Sequence, residues 1–409
     1  ELAMDPLITA AGRALAMGDP LAALNCVALR DDAPSLALRG IAMAQLGELD
    51  RARVLIGNAT RAFGSQKPLA RAKCIVAEAE IALASRDLGW PSRKLDAARE
   101  VLEQHGDRVN ATHARYIDIR RRLLIGRLDE AELELGVMDV ASLPPALRAI
   151  HELIVAGIAM RRLETQVARD ALLQAERASQ HAGIPALVAE VASKVELLGL
   201  PAARLTRMGS ERLLLLNEVE ALMASQAFVV DGCRYTVKHK EAVVLLATRP
   251  VLFVLLRIMA EAWPKEASRD ELIARAFRMK QADDSHRARL RVEIGRLREL
   301  LKPLATVDAT SRGFALVPHE ACEVAVLAQP VEEKYAPILA LLSDGESWSS
   351  SALALALNIG QRSVQRALDT LATEGKVYSF GRGRNRRWTT PPIAGFATIL
   401  LLPGSLALG

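Results

Sequence analysis

The chain has 409 residues, enough for two to four domains, and 51% of them are hydrophobic, which excludes a disordered protein. Lysine and arginine exceed aspartate and glutamate by only five, so the total charge marks no partner until its location is known. Cys26, Cys74, Cys233 and Cys322 lie far apart with no CxxC, which argues against a zinc site and for reduced thiols in the cytoplasm. The most apolar runs, 251–260 and 393–402, are shorter than the roughly 20 residues a membrane span needs, so a soluble protein without membrane contact is expected. No signal peptide is visible, and Glu1 to Met4 reads as an expression remnant.

From residue 5 to about 209 the chain reads as helix after helix. Alanine and leucine, both strong helix formers, dominate it. A short signal recurs in which Gly is followed by Leu-Asp or a similar pair and then Ala. Gln45–Ala52 (QLGELDRA) and Ile125–Ala131 (IGRLDEA) are clear copies, and Met17–Ala23 and Lys94–Ala98 are looser ones. Glycine suits the left-handed turn that ends a helix, an acid favours the start of the next, and alanine lets antiparallel helices approach closely. This segment resembles a degenerate tetratricopeptide-type helical array, although it lacks the full aromatic signature and its period is irregular. The bland alternative is an ordinary helical domain with similar turns.

Residues 211–225 (ERLLLLNEVEALMAS) read as a linking helix, within a linker placed at 210–225. Alternation around Asp231-Gly232 then predicts a β-hairpin, and a domain boundary is expected near 226. Helices follow over Pro250–Glu261, from Ser268 onward with capping-box form, and over Asp284–Leu301. The last carries an apolar stripe of Leu290, Ile294, Leu297 and Leu301 at one-face spacing. At 100° per residue Arg287, Arg291 and Arg298 lie along one flank and Arg289 and Arg296 along the other. Ala288, Val292, Gly295 and Glu299 lie between the flanks, opposite the stripe. Two short strands around Ala309–Gly313 then predict a hairpin containing Arg312.

Strands, three helices, the run Val292–Arg298 (VEIGRLR) and the closing Arg312-Gly313-Phe314 resemble the OmpR/PhoB-type winged-helix DNA-binding domain over about 226–320. The resemblance implies that the third helix enters the major groove, with Arg296 and Arg298 at the family's basic positions, and that the wing meets the minor groove. The chain departs from the family pattern at Thr310 and Ser311, where the wing usually carries arginine, and at Glu293. The alternative for this helix is a solvated Arg–Glu face.

A second unit is expected over about 331–390. Its predicted parts are a helix over 332–342, a Ser-led helix over 352–357, a turn, and a helix over 361–374 with Val364, Leu368 and Leu371 buried. That is helix-turn-helix spacing. Gln361, Arg362, Ser363, Gln365 and Arg366 are the candidate DNA contacts on the helix, with Asp369 on the same face as Arg362, Gln365 and Arg366. Gln and Arg are suited to bidentate base contacts. A hairpin carrying Arg382, Arg384, Asn385, Arg386 and Arg387 follows. Residues 361–388 hold seven Lys and Arg against two acids, an excess equal to that of the entire chain, so basic charge is concentrated where phosphate binding needs it. The unit resembles the broad winged-helix superfamily of bacterial regulators. The alternative is a winged helix used for protein contact.

The apolar tail 391–409 is expected to pack on a neighbouring domain or subunit. No nucleotide-binding, zinc-protease or hydrolase motif occurs, and the seven histidines stand singly, so neither an enzyme nor a cofactor is expected. The fold class expected is mainly α: a helical-hairpin array followed by two winged-helix (α+β) domains. The expected function is that of a sequence-specific transcriptional regulator. It would bind double-stranded DNA as a homodimer, with a protein partner or small effector at the array. A protein-interaction scaffold and a replication-initiator-like protein are the alternatives.

Overall fold

The protein is described here from a computed structural model, which covers residues 5–84, 90–124, 127–277, 284–330, 335, 338–339, 342, 348–357, 359–383 and 386–389. It is mainly helical with three small sheets among the described residues.

Eleven helices come first: α1 (Pro6–Ala16), α2 (Pro20–Val27), α3 (Ala33–Gln45), α4 (Leu49–Phe63), α5 (Pro68–Ala84), α6 (Ser92–Gln104), α7 (Arg108–Leu124), α8 (Leu128–Gly136), α9 (Pro145–Arg162), α10 (Thr165–Ala182) and α11 (Pro185–Leu198). The first three start alike, with an aspartate N-cap and an early proline. The carboxylates of Asp5, Asp19 and Asp32 accept from the backbone amides of Leu7, Ala22 and Ser35. That satisfies a donor the helix cannot use internally, while proline gives up none it needs. Gly47 takes φ +86° between α3 and α4, so the Gly of the QLGELDRA signal sits in the left-handed turn its residue type favours.

Each helix packs on the next, and the odd-numbered helices also pack on one another in sequence, α1 on α3 through to α9 on α11. They form an inner layer. Buried alanines such as Ala52, Ala59 and Ala171 permit the close approach. Two apolar cores result, one running from α1 to α7 and one from α7 to α11. The inner layer also carries polar groups. On one face of α7, His113, Tyr116 and Arg120 each reach a different helix. His113 Nε2 lies 3.0 Å from Glu80 on α5. The Tyr116 hydroxyl lies 3.0 Å from His151 Nδ1 on α9. Arg120 forms an ion pair with Glu190 on α11. Burial lowers the His151 pKa and raises that of Tyr116. The two ends of the array also meet. A Cβ placed on Gly18, after α1, would sit 2.7 Å from the ring of Pro185 at the start of α11.

The linking helix expected over 211–225 is corrected. Residues 210–214 are a strand, and the helix begins only at Leu216. Strand β1 (Ala203–Arg207) turns through Met208 and Gly209, both at positive φ, into β2 (Ser210–Leu214). The helix α12 (Leu216–Ala224) then leads to β3 (Phe228–Asp231), β4 (Thr236–His239) and β5 (Ala242–Leu245). With β9 (Val324–Ala328) these strands form one sheet in the order β2-β1-β9-β3-β4-β5. β3 and β9 run parallel and the other pairs antiparallel. The sheet therefore spans residue 226, and the purely helical stretch ends at Leu198 rather than near 209. Glu220 of α12 accepts from the Thr165 amide at 3.0 Å, which caps α10 and ties the array to the sheet.

Between β5 and β9 lie α13 (Pro250–Ala262), β6 (Ala267–Ser268), α14 (Arg269–Phe277), α15 (Asp284–Leu301), β7 (Ala305–Ala309) and β8 (Gly313–Pro318). Beyond β9 come α16 (Ser350–Leu357), α17 (Gln361–Thr373), β10 (Tyr378–Phe380) and β11 (Arg387–Thr389). Most of the helix expected over 332–342 and all of the tail 391–409 lie outside the described residues. No helix among the described residues is long and apolar enough to cross a membrane.

Candidate nucleic-acid interface

The first basic unit is built on α15. Leu290, Ile294, Leu297 and Leu301 are buried together against α13 and α14, so the helix has one fixed face. Ala288, Val292, Gly295 and Glu299 are exposed on the opposite face, and a Cβ at Gly295 would meet open space.

The hairpin β7–β8 adds to β6 as a three-stranded sheet in the order β6-β8-β7. Its turn, Thr310–Gly313, is closed by the Thr310 amide on the Gly313 carbonyl at 3.0 Å and the Gly313 amide on Thr310 Oγ1 at 2.8 Å. Arg269 fastens it to the body. The Arg269 guanidinium donates to the Ser311 and Thr310 carbonyls, both at 2.9 Å, and its backbone amide donates to the Arg312 carbonyl at 3.1 Å. A Cβ at Gly313 would fall 1.7 Å from the Ala267 carbonyl oxygen, so only glycine fits there. Gly313→Ala is expected to destabilise this unit by about 2–4 kcal/mol, because a backbone oxygen cannot move aside cheaply. Urea denaturation checks it, and an unchanged midpoint would refute the packing argument.

The arginines of α15 are not equivalent. Arg291 is exposed and has no ion-pair partner among the described residues, and the same holds for Arg312 at the hairpin turn. Arg287 faces Asp284 at 3.6 Å with both side chains largely exposed, a pairing worth little. Arg296 pairs with Glu293 at 3.0 Å. Arg289 lies over the Phe277 ring at 4.5 Å. Arg298 is turned to the hairpin: its Nε donates to the Val307 carbonyl at 2.7 Å and its guanidinium lies over Phe314. Arg298 therefore holds helix to hairpin instead of standing free as a groove contact.

The second basic unit centres on α17, whose Val364, Ala367, Leu368 and Leu371 are buried with Leu353 and Leu357 of α16 and with Trp388. Ser349 Oγ accepts from the Ala352 amide at 3.1 Å, which explains the Ser-led start of α16. Gln361, Arg362, Ser363 and Arg366 are exposed. Arg362 and Arg366 have no ion-pair partner among the described residues. Gln365 donates to Asp369 at 3.0 Å, one turn along the same face. Gln361 approaches Ser350 Oγ at 3.4 Å.

In the hairpin β10–β11, Tyr378 pairs with Thr389 and Phe380 with Arg387. Arg382 is exposed in the connection. Arg386 lies over the Trp388 ring at 4.3 Å, and Arg387 Nη1 donates to the Arg386 carbonyl at 3.3 Å. Arg384 and Asn385 lie outside the described residues.

Two features escaped sequence reasoning. Trp348 forms a single antiparallel bridge with Trp388, its amide and carbonyl both engaged. Arg269 reads in the sequence as part of a helix cap, with no signal that its side chain reaches a turn 41 residues away. No group of histidine, cysteine and acidic side chains suited to a metal ion occurs among the described residues. No protein-family model, no curated protein and no solved structure matches the chain.

Proposed function

We propose that the protein is a sequence-specific, double-stranded-DNA-binding transcriptional regulator. Its DNA-reading parts are two winged helices, one built on α13–α15 with β7–β8 and one on α16–α17 with β10–β11. The observation that carries this reading is that Arg291, Arg312, Arg362, Arg366 and Arg382 are exposed without acidic partners among the described residues, while the helices that bear Arg291, Arg362 and Arg366 are fixed by buried stripes. Guanidinium groups held outward on rigid elements match phosphate oxygens and the guanine edge bidentately. Gln365, oriented by Asp369, supplies an amide of the kind that reads adenine. Two readers on one chain favour a bipartite site, because binding at one raises the effective concentration of the other. The helical array, tied to the sheet through Glu220, is the part that docks a partner or responds to an effector.

The test is binding of the purified chain to a library of duplexes, followed by a salt titration on the enriched sequence. Enrichment of one sequence is expected, with the logarithm of affinity falling by about 0.9 per phosphate contact for each unit of log salt. Failure to bind duplexes even in dilute buffer would sink the proposal.

A further inference from the structure

The helix α12 has only nine residues, so it spans about 13 Å. Val219 and Leu222 on its inner side pack over Ala203, Leu205 and Leu214. Val229, Ala325 and Leu327 are buried in the same cluster. Beside it lies a cleft of about 490 Å³, bounded by α12, by the β1–β2 hairpin and by residues 321–323. This volume lies in the range of small-molecule sites.

The floor of the cleft is apolar, made by Leu205, Leu214, Leu222 and Ala227. Its edge is charged. Arg212 pairs with Glu218 at 2.7 Å. Arg207 pairs with Glu323 at 2.8 Å, and that carboxylate is 65% exposed. The Arg207 Nε–H is buried and has no hydrogen-bond acceptor among the described residues. An N–H withdrawn from water without an acceptor is rare in folded proteins and calls for an explanation. A carboxylate that took the place of Glu323 on this guanidinium would meet a donor that Glu323 leaves unused, and the apolar floor would take the body attached to it.

We propose that this cleft binds a small monocarboxylic acid with an apolar body, and that the acid is an effector. The carboxylate would bind the Arg207 guanidinium, with Glu323 displaced into solvent where it is already largely exposed. The body would lie on Leu205 and Leu222. The site stands on its own geometry; its effect on DNA rests on the regulator reading above. That effect follows from what the walls belong to. α12 is joined to the array through Glu220 and Thr165. Residues 319–323 join β8 to β9, and the Glu323 carbonyl accepts from the Phe228 amide at 2.8 Å. A ligand wedged between them favours one spacing of array and hairpin over others, which is the minimum needed to shift affinity at a distance.

Octanoate is the probe, with octanol as its uncharged counterpart, titrated into the full chain by calorimetry. Octanoate is expected to bind and octanol to bind at least about tenfold more weakly. Arg207→Gln should weaken octanoate about tenfold. Ala221→Trp, an exposed position on the cleft wall, should fill the space and abolish binding without touching the core. Absence of octanoate binding to the natural chain overturns the proposal, as does unchanged affinity in Ala221→Trp. Equal affinity for octanol overturns the assignment of Arg207. Octanoate should also change duplex affinity of the natural chain but not of Ala221→Trp. A chain that binds octanoate yet ignores DNA keeps the cleft assignment and sinks the regulator reading, whereas one that binds DNA identically with and without octanoate overturns the effector role.

Discussion

Replacing Arg362 and Arg366 together by alanine is expected to lower affinity for the preferred duplex about ten- to a hundredfold and to flatten the salt slope by about two. The two side chains stand one turn apart on the exposed face of α17, opposite the buried Val364, Leu368 and Leu371. Neither pairs with an acid among the described residues, so their loss breaks no ion pair there. The fold should therefore tolerate the change within about 0.5 kcal/mol per site. Fluorescence anisotropy across a salt series, with a thermal melt alongside, separates the two effects. A stable double variant with unaltered affinity would show that α17 does not face DNA. Arg298→Ala should behave differently. Its guanidinium already holds Val307 and Phe314, so its loss should loosen the hairpin as well as weaken binding.

The second large effect is expected far from the arginines proposed to meet DNA. Arg120→Ala should destabilise the array by about 3–5 kcal/mol, because it takes the Arg120 cation away from Glu190, which is 4% exposed. Arg120→Leu combined with Glu190→Leu should lose much less, since removing both charges of a buried pair abolishes the desolvation penalty along with the attraction. Urea denaturation of the single and double variants measures the difference. Equal losses in both would mean that the pair contributes through packing and not through charge. The prediction depends on α7 acting as a spine. Its polar face is shared by three helices that lie up to 70 residues away in the chain.

The helices were legible where one face repeats. The stripe of Leu290, Ile294, Leu297 and Leu301 placed α15 over Asp284–Leu301, because a helix that buries one side must show that period. The strand at 210–214 was not legible. Its run of leucines reads equally as helix, and what decides for strand is pairing with Ala203–Arg207 and, through it, with β9 more than a hundred residues later. Propensity yields to such long-range partners. The basic residues themselves were visible as a local excess of charge. Their division into free and engaged groups was not, since Arg298 and Arg289 are claimed by aromatic rings and carbonyls that only the packed hairpin and the end of α14 supply. Likewise Arg207 in the cleft gives no sequence signal, as its environment is assembled from four separate segments.

The contact between Gly18 and Pro185 turns a row of helices into a circuit. In an open row, disturbance at one end must pass through every intermediate helix to be felt at the other. Here the turn after α1 also touches the start of α11, so the two ends are joined by one direct contact. α11 also holds Glu190, and through it Arg120 at the middle of the inner layer. A change near α1 thus has a second, shorter path to the end of the array that leads into the sheet.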